Sequence, residues 1–375
     1  MYPVKRWKEV LTIISGKNQK AVENPDGKYP IYGSGGVIGR ANDYLCKEQT
    51  VIVGRKGTIN NPIFVSEPFW NIDTAFGVVA GDELMPKFLY YFCCLFNFKT
   101  LDKSTGRPSL AKSDLMKIEM PVPSLPEQEH IVARIEELFS ELDKAVETLQ
   151  TTKRKLEVYR QAVLKEAFEG DYKRRSLKSF SKVISGYAFK SKLYSNDGKY
   201  TIVKIGNVKN NGFDFSRDLT RTSECTEAIL QKYGLLEGDC LITLTGSRGK
   251  RDYGYVAIVT GQKNYLLNQR VAAIRFDCEV ADPRFYKYYL SSDEFRNIFF
   301  SYETGNVGQG NVGINALKEP EVICPPINVQ KNITDTIESR LSVCDSIEQT
   351  VDSALAQADA LRQSILKEAF EGRLE

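Results

Sequence analysis

The segment Leu164-Lys165-Glu166-Ala167-Phe168-Glu169-Gly170 returns as Leu366-Lys367-Glu368-Ala369-Phe370-Glu371-Gly372, 202 residues further on. Carried backwards, the same offset pairs Arg160 with Arg362, Ile131 with Ile333, Gln128 with Gln330 and Pro123 with Pro325. A repeat of this kind limits the fold before any local pattern is weighed. It divides the chain into a unit at 1–122, a repeated segment at 123–170, a second unit at 171–324 and the segment's copy at 325–375.

The repeated segments read as long helices. In the first, Ile131, Ile135, Leu138, Leu142, Ala145, Leu149, Thr152, Leu156, Tyr159 and Val163 step alternately by four and three, a heptad seam. The second shows Ile333, Ile337, Arg340, Cys344, Ile347, Val351, Ala354, Ala358, Leu361 and Ile365, interrupted only by Arg340 with Leu341 beside it. Pro126 and Pro326 are expected to precede the helices, and Gly170 and Gly372 to end them. A helix over 127–169 would be about 65 Å long. One amphipathic helix leaves its seam wet, so the two matched seams are expected to pair antiparallel within the chain. The alternative is a coiled coil with other chains.

The two remaining units look mixed in α and β. Strand-like runs lie at 50–53, 76–79, 240–244, 255–259 and 271–276, punctuated by glycine-rich loops, with helical patches at 86–98 and 283–300. Ser15-Gly16 matches Ser185-Gly186, and Thr105-Gly106-Arg107 matches Thr304-Gly305-Asn306, so the units are diverged relatives. The expected class is therefore α+β (mixed), with two α/β-type domains separated by two long helices in a pseudo-twofold internal repeat.

The net charge of +3 conceals segregation. The two globular units carry +4 and +6, and the helices −3 and −4. Positive units suit a phosphate-bearing partner. Lysine and arginine sit beside glycines in Arg55-Lys56-Gly57-Thr58, Thr105-Gly106-Arg107 and Gly246-Ser247-Arg248-Gly249-Lys250-Arg251. Small residues let a backbone approach a groove closely, and arginine can bond guanine bidentately. Amides able to read base edges cluster in Asn268-Gln269-Arg270 and at 306–311. The candidate DNA contacts are Ser34, Gly35, Arg55, Lys56, Thr58, Ser104, Thr105, Arg107 and Ser109 in the first unit. In the second they are Lys204, Asn207, Thr245, Ser247, Arg248, Lys250, Arg251, Asn268, Gln269, Arg270, Asn306 and Gln309.

Catalytic motifs are not met. The Gly246–Lys250 loop, numbered 246–250, lacks the Ser or Thr of a phosphate loop because Arg251 follows. Asn61-Pro62-Ile63-Phe64 departs from the Asn-Pro-Pro-Phe of adenine methyltransferases. The one histidine, His130, heads a helix, and the eight cysteines form no C-x-x-C pair, so no metal site is expected. Scattered cysteines fit a reduced, cytoplasmic setting, a polar start at 1–9 fits no secretory leader, and the apolar run 88–98 is about half a membrane span.

With these residues in view, the chain resembles the specificity (S) subunit of type I restriction-modification systems, HsdS. The resemblance covers essentially the whole length. It rests on Pro123-Ser124-Leu125-Pro126-Glu127-Gln128-Glu129-His130-Ile131-Val132, the 164–170 segment and its copy, Tyr29-Pro30-Ile31-Tyr32-Gly33-Ser34-Gly35-Gly36, Gly54-Arg55-Lys56-Gly57 and Gly238-Asp239-Cys240-Leu241-Ile242. The second copy departs from the family pattern at Ile327-Asn328-Val329-Gln330.

The resemblance implies a non-catalytic subunit whose two target recognition domains each read one half of a bipartite, asymmetric site in double-stranded DNA. The paired helices, with a seam of Ile135, Leu138, Leu142, Leu149, Leu156, Ile337, Ile347, Val351, Leu361 and Ile365, would space the half-sites. Two modification (methyltransferase) subunits would dock on the chain, and restriction (translocase and nuclease) subunits would join. S-adenosylmethionine, ATP and magnesium are expected on those partners and none on this chain, with no membrane partner. The competing readings are a coiled-coil adaptor that does not read DNA and a DNA-modifying enzyme in its own right.

Overall fold

The computed structural model describes every residue except Met1, Asn211, Gln262, Val307 and Glu375. The chain divides into two compact units, Met1–Thr151 with Val351–Glu375, and Thr152–Thr350. Each unit therefore takes one globular segment, the near half of one long helix and the far half of the other.

The first unit is built on an antiparallel four-stranded sheet. Its strands are β1 (Leu11–Ser15), β4 (Thr50–Gly54), β5 (Ile63–Val65) and β7 (Ala75–Ala80), in the order β1-β7-β4-β5. The smaller sheet sets β2 (Tyr29–Gly33) between β3 (Gly36–Ala41) and β6 (Trp70–Asn71), with β2 and β6 parallel. Strand β4 is buried along its whole length, which its run Thr50-Val51-Ile52-Val53-Gly54 anticipates. Helix Pro86–Leu95 covers the large sheet, its proline at the first turn where no amide bond is lost. The helical patch expected over 86–98 ends at Leu95. A 3-10 turn, Phe98–Leu101, follows because the Asn97 side chain accepts the Lys99 amide and restarts the chain.

The second unit repeats this plan with insertions. Its strands are β8 (Ser181–Ser185), β9 (Tyr194–Ser195), β10 (Tyr200–Val203), β11 (Arg221–Thr222), β12 (Cys240–Thr243), β13 (Val256–Ile258), β14 (Tyr265–Leu267) and β15 (Val271–Phe276). They form one sheet of order β8-β15-β12-β13 and another of order β9-β11-β10-β14, again with one parallel pair, β10 with β14. The patch expected over 283–300 is two helices, Pro283–Ser291 and Asp293–Ser301. Ser292 separates them, its hydroxyl accepting the Phe295 amide as the second helix's N-cap.

The long helices run Leu125–Phe168 and Ile327–Glu371. The first starts before Pro126 rather than after it, since a proline in the first turn forfeits only an amide that has no helical partner. Gly372 ends the second in the left-handed region (φ +70°), with the Arg373 amide on the Glu368 carbonyl at 2.9 Å. The first ends at Phe168 without such a cap, so Gly170 does not serve as one.

Within each unit the two helix halves pack against one another. In the second unit Arg160 reaches Asp345 at 2.6 Å and Glu348 at 2.9 Å, and Arg340 reaches Glu166 at 2.7 Å, a ladder that runs antiparallel. In the first unit Arg362 pairs with Asp143, which is the same contact displaced by the repeat offset. The predicted seam is correct along one edge: Ile135, Ile337 and Val351 are buried, as are Val163, Cys344 and Ile365, while Leu142, Leu149 and Leu156 are half-buried.

Along its other edge the seam is corrected by one residue in both helices. Tyr159 is 47%, Ile347 41% and Leu361 50% exposed, whereas Arg160, Glu348 and Arg362 are partly buried in their place. Leu138 is half-buried but shares its position with Phe139. The reason is that long charged side chains lay their stems along the seam and pair their heads across it, so burial there does not follow apolarity.

The repeated Leu-x-x-x-Phe also finds its explanation. Leu366 and Phe370 lie in the core of the first unit, where Phe370 packs on Phe88 at 4.8 Å and Phe92 at 5.5 Å. Leu164 and Phe168 do the same in the second, with Phe168 on Phe285 at 5.4 Å and Tyr289 at 5.3 Å. Gln128 and Gln330, both fully buried, clamp the helix starts. The Gln128 amide donates to the Glu83 and Pro123 carbonyls and accepts the Met85 amide. Gln330 donates to Val280 and Pro325 and accepts the Asp282 amide.

Candidate nucleic-acid interface

In the first unit the glycine-rich loops converge at one end of the large sheet. The Arg55 amide donates to Thr74 at 2.8 Å, the Leu110 amide to Arg55 at 2.8 Å and the Gly57 amide to Pro108 at 2.9 Å. These bonds tie the loop after β4, the connection before β7 and the segment 102–110 into one surface. The β2–β3 turn joins them: a Cβ on Gly35 would stand 3.9 Å from the Thr58 hydroxyl. Arg107 lies over Gly57, whose missing side chain makes room, since a Cβ there would meet the guanidinium at 2.9 Å.

Side chains in this cluster differ in readiness. Arg107 is exposed and makes no hydrogen bond or ion pair among the described residues. Arg55 leans over the Phe76 ring at 5.7 Å and donates to the Asp73 carbonyl at 3.4 Å, and Lys56 pairs with Asp73 at 3.7 Å. Asp102 organises the last segment by accepting the Ser104 hydroxyl and the Ser104 and Ser109 amides. These bonds, the Ser104 hydroxyl first, hold its carboxyl below the usual range. Thr105 is exposed beside them, while Ser34 is buried in the turn and leaves Gly35 at its tip.

The second unit reproduces two of these three bonds and pairs Gly246 with Gly310 at the place of the third. The Leu244 amide donates to Arg270 at 2.9 Å and the Val312 amide to Leu244 at 2.9 Å. Gly16 and Gly186 prove equivalent, because a Cβ on either would strike a carbonyl, of Ile72 or of Asn268, at 1.8 Å. The predicted Asn268-Gln269-Arg270 thus occupies the place of Ile72-Asp73-Thr74. No basic or amide signal marks the latter, and sequence reading missed it as part of this loop surface.

Lys250, Gln269 and Arg270 are exposed, and their side chains make no hydrogen bond or ion pair among the described residues. Arg270 is itself held at φ +68° and Arg251 at φ +52°, conformations uncommon outside glycine. Arg248 donates to the Gly305 carbonyl at 2.7 Å, and Arg251 bonds Asn297 at 2.9 Å and covers Phe300. Asn306 and Gln309 are exposed on the same loop, with Val307 outside the described residues, and the Ser247 amide is capped by Asp252 at 2.7 Å.

Two predicted contacts, Asn207 and Thr245, are buried and structural instead, and a third, Lys204, is engaged within the chain. Asn207 is buried, bonding the Asp214 and Asp218 carbonyls at 3.0 and 2.7 Å and accepting the Lys204 amide. Thr245 is buried with its hydroxyl on Asn311 at 2.9 Å. Lys204 is spent on Asp218 at 3.2 Å and lies over the Tyr194 ring. A polar side chain at a loop's root satisfies the loop before it can meet a ligand.

Among the described residues there is no cluster of metal-ligating side chains, and no helix is long and apolar enough to cross a membrane. The sequence matches the type I restriction modification DNA specificity domain over residues 2–157 and 169–357. The specificity subunit of the type I restriction enzyme EcoBI of Escherichia coli is 24% identical over 360 residues, covering 88% of this chain and 75% of that protein. The EcoKI specificity subunit of Escherichia coli strain K12 is 27% identical over 275 residues, covering 68% of this chain and 58% of that protein.

Among solved structures, a chain from work on complex assembly and conformational transition of the type I R-M system superposes with a TM-score of 0.76, at 17% identity, over 99% of this chain and 98% of that one. The HsdS subunit from Thermoanaerobacter tengcongensis superposes at 0.52 and 17% identity, over 99% and 97%. These two likenesses concern the fold. With two matched stretches that together span most of its length, the chain belongs to the type I restriction modification DNA specificity domain family.

Proposed function

We propose that this chain is the DNA specificity subunit of a type I restriction-modification assembly, and that each unit reads one half of a bipartite site in double-stranded DNA. The observation that supports this best is the duplication of one three-loop surface on two diverged units, each edged by an arginine that makes no hydrogen bond or ion pair among the described residues: Arg107 in one, Arg270 in the other. Arginine and lysine would fix phosphates and guanine edges, and Gln269, Asn306 and Gln309 would read further base edges.

In this reading the chain selects and carries no chemical step. Modification subunits supply adenine methylation with S-adenosylmethionine, and restriction subunits supply ATP- and magnesium-dependent cleavage. The long helices set the half-site spacing and offer the two repeated docking surfaces. The setting is cytoplasmic.

The test is methylation of a random DNA library by the modification subunit with and without this chain. A single bipartite methylated sequence that appears only with the chain is expected. Methylation at the same sites without it, or at no defined sequence with it, would reject the proposal.

A further inference from the structure

Two exposed aliphatic side chains occupy the same place in the two units. In the first, Tyr29 pairs with Ala41 and Ile31 with Gly39 across β2 and β3. In the second, Tyr200 pairs with Thr222, and two residues on, the Ile202 amide bonds the Thr220 carbonyl at 2.9 Å. Ile31 and Ile202 also pair in parallel with Trp70 and Leu266. The next residue outward is Ile38 in one unit and Leu219 in the other. They are 54% and 50% exposed.

Single exposed aliphatics are ordinary. The same position in two units with different loops is a second, independent observation.

The backbone around both positions is fixed. A bulge between Ile31 and Tyr32 breaks the alternation of β2 and β3, so Val37 and Ile38 are both turned to solvent. A Cβ on Gly33 would lie 3.7 Å from Ile38 Cγ2 and 3.4 Å from the Thr74 hydroxyl, which puts Ile38 beside the loop that bonds Arg55. Leu219 sits between Asp218, whose carbonyl takes the buried Asn207 amide and whose carboxylate takes Lys204, and Thr220, whose hydroxyl donates to Asp218 at 2.8 Å. Lys204 continues β10 where Gly33 ends β2, and the Asn268 amide bonds the Val203 carbonyl at 3.2 Å as the Ile72 amide bonds that of Tyr32 at 2.9 Å, so Leu219 follows the strand end that meets the Asn268-Gln269-Arg270 loop.

Apart from Val37, which lies at the tip of the β2–β3 turn and has no counterpart in the equivalence with the second unit, the other side chains named at each surface are cations, carboxylates, amides and hydroxyls. They bind phosphates and hydrogen-bonding base edges, and beyond the single methyl of an exposed threonine they offer no apolar surface to the C5 position, where thymine carries a methyl and cytosine does not. An aliphatic side chain does. We propose that Ile38 and Leu219 are the apolar base readers of the two units, each packing on the C5 edge of one pyrimidine in its half-site. This rests on the DNA-reading function proposed above.

The experiment uses the full chain assembled with its modification subunit and a duplex carrying the methylated sequence. Each thymine is replaced in turn by deoxyuridine and each cytosine by 5-methyldeoxycytidine. One pyrimidine in each half-site is expected to change the methylation rate by roughly fourfold, the worth of one buried methyl. Ile38→Ala abolishes that response in one half-site only, and Leu219→Ala in the other. Ile38→Val, which keeps branched apolar bulk, retains it.

Unchanged profiles in both alanine variants, no C5-sensitive pyrimidine in either half-site, or loss of the response in both half-sites from one variant would each overturn the inference. Failure of DNA reading itself is seen separately, as loss of sequence preference by the wild-type complex on unmodified DNA.

Discussion

A guanidinium already bonded inside its own chain must break that bond before it reads a base, so exposure alone does not rank the arginines. Arg248 holds the Gly305 carbonyl and Arg251 holds Asn297, while Arg107 and Arg270 make no hydrogen bond or ion pair among the described residues. Arg107→Ala and Arg270→Ala are therefore expected to weaken discrimination by about 1–3 kcal/mol, each at a different half-site. Competition methylation assays on half-site variants measure this, and an equal loss at both halves from one variant contradicts it. Spacing arithmetic finds all four arginines in loops but not which are occupied, because Gly305 and Asn297 reach them only through tertiary folding.

Asp102 gives a second test at this scale. Its folded pKa is depressed, so the order it lends to 104–109 is present above 3.8 and is lost as pH falls through the folded value. The Ser104 and Ser109 amides should keep hydrogen-exchange protection at pH 3.8 and lose it only at lower pH, as the depressed folded value is passed. Asp102→Asn should remove the pH dependence, and protection that persists at low pH would show the segment is held otherwise.

At the scale of elements, the heptad pattern revealed both long helices, their length and one edge of their seam. The other edge was displaced because Arg160, Glu348 and Arg362 are buried by pairing rather than by apolarity. The repeated phenylalanines were legible as a repeat, but their purpose was not, since each completes the core of a globular segment remote in sequence. Phe370→Ala should cost about 3–5 kcal/mol in the unit that contains the N-terminal segment, and Phe168→Ala the same in the other. Hydrogen exchange resolved by peptide distinguishes the two. Equal loosening of both units by either substitution would contradict the assignment of these residues to separate cores.

For the molecule as a whole, the sequence order of unit, helix, unit, helix does not coincide with the folded units, since each takes half of both long helices. The first unit is assembled from both ends of the chain: Tyr2 bonds Glu127 at 3.0 Å, and a Cβ on Gly372 would lie 3.2 Å from the Tyr2 ring. Leu374 and Tyr2 border the same core. The connection after the first long helix is exposed at Glu169, Gly170 and Asp171. Cutting it breaks no helix, whereas a cut inside a long helix removes consecutive backbone bonds and divides its seam.

A chain in which a short flexible linker joins Glu375 to Met1 and which opens between Gly170 and Asp171 should fold to the same two units. Its thermal midpoint should remain within a few degrees of the parent's, corresponding to about 1 kcal/mol or less, and it should direct methylation to the same sequence. Opening between Thr151 and Thr152 with the same linker should unfold part of both long helices, visible as lost helical circular dichroism. Equal tolerance of the two cuts would show that the helices hold neither unit together.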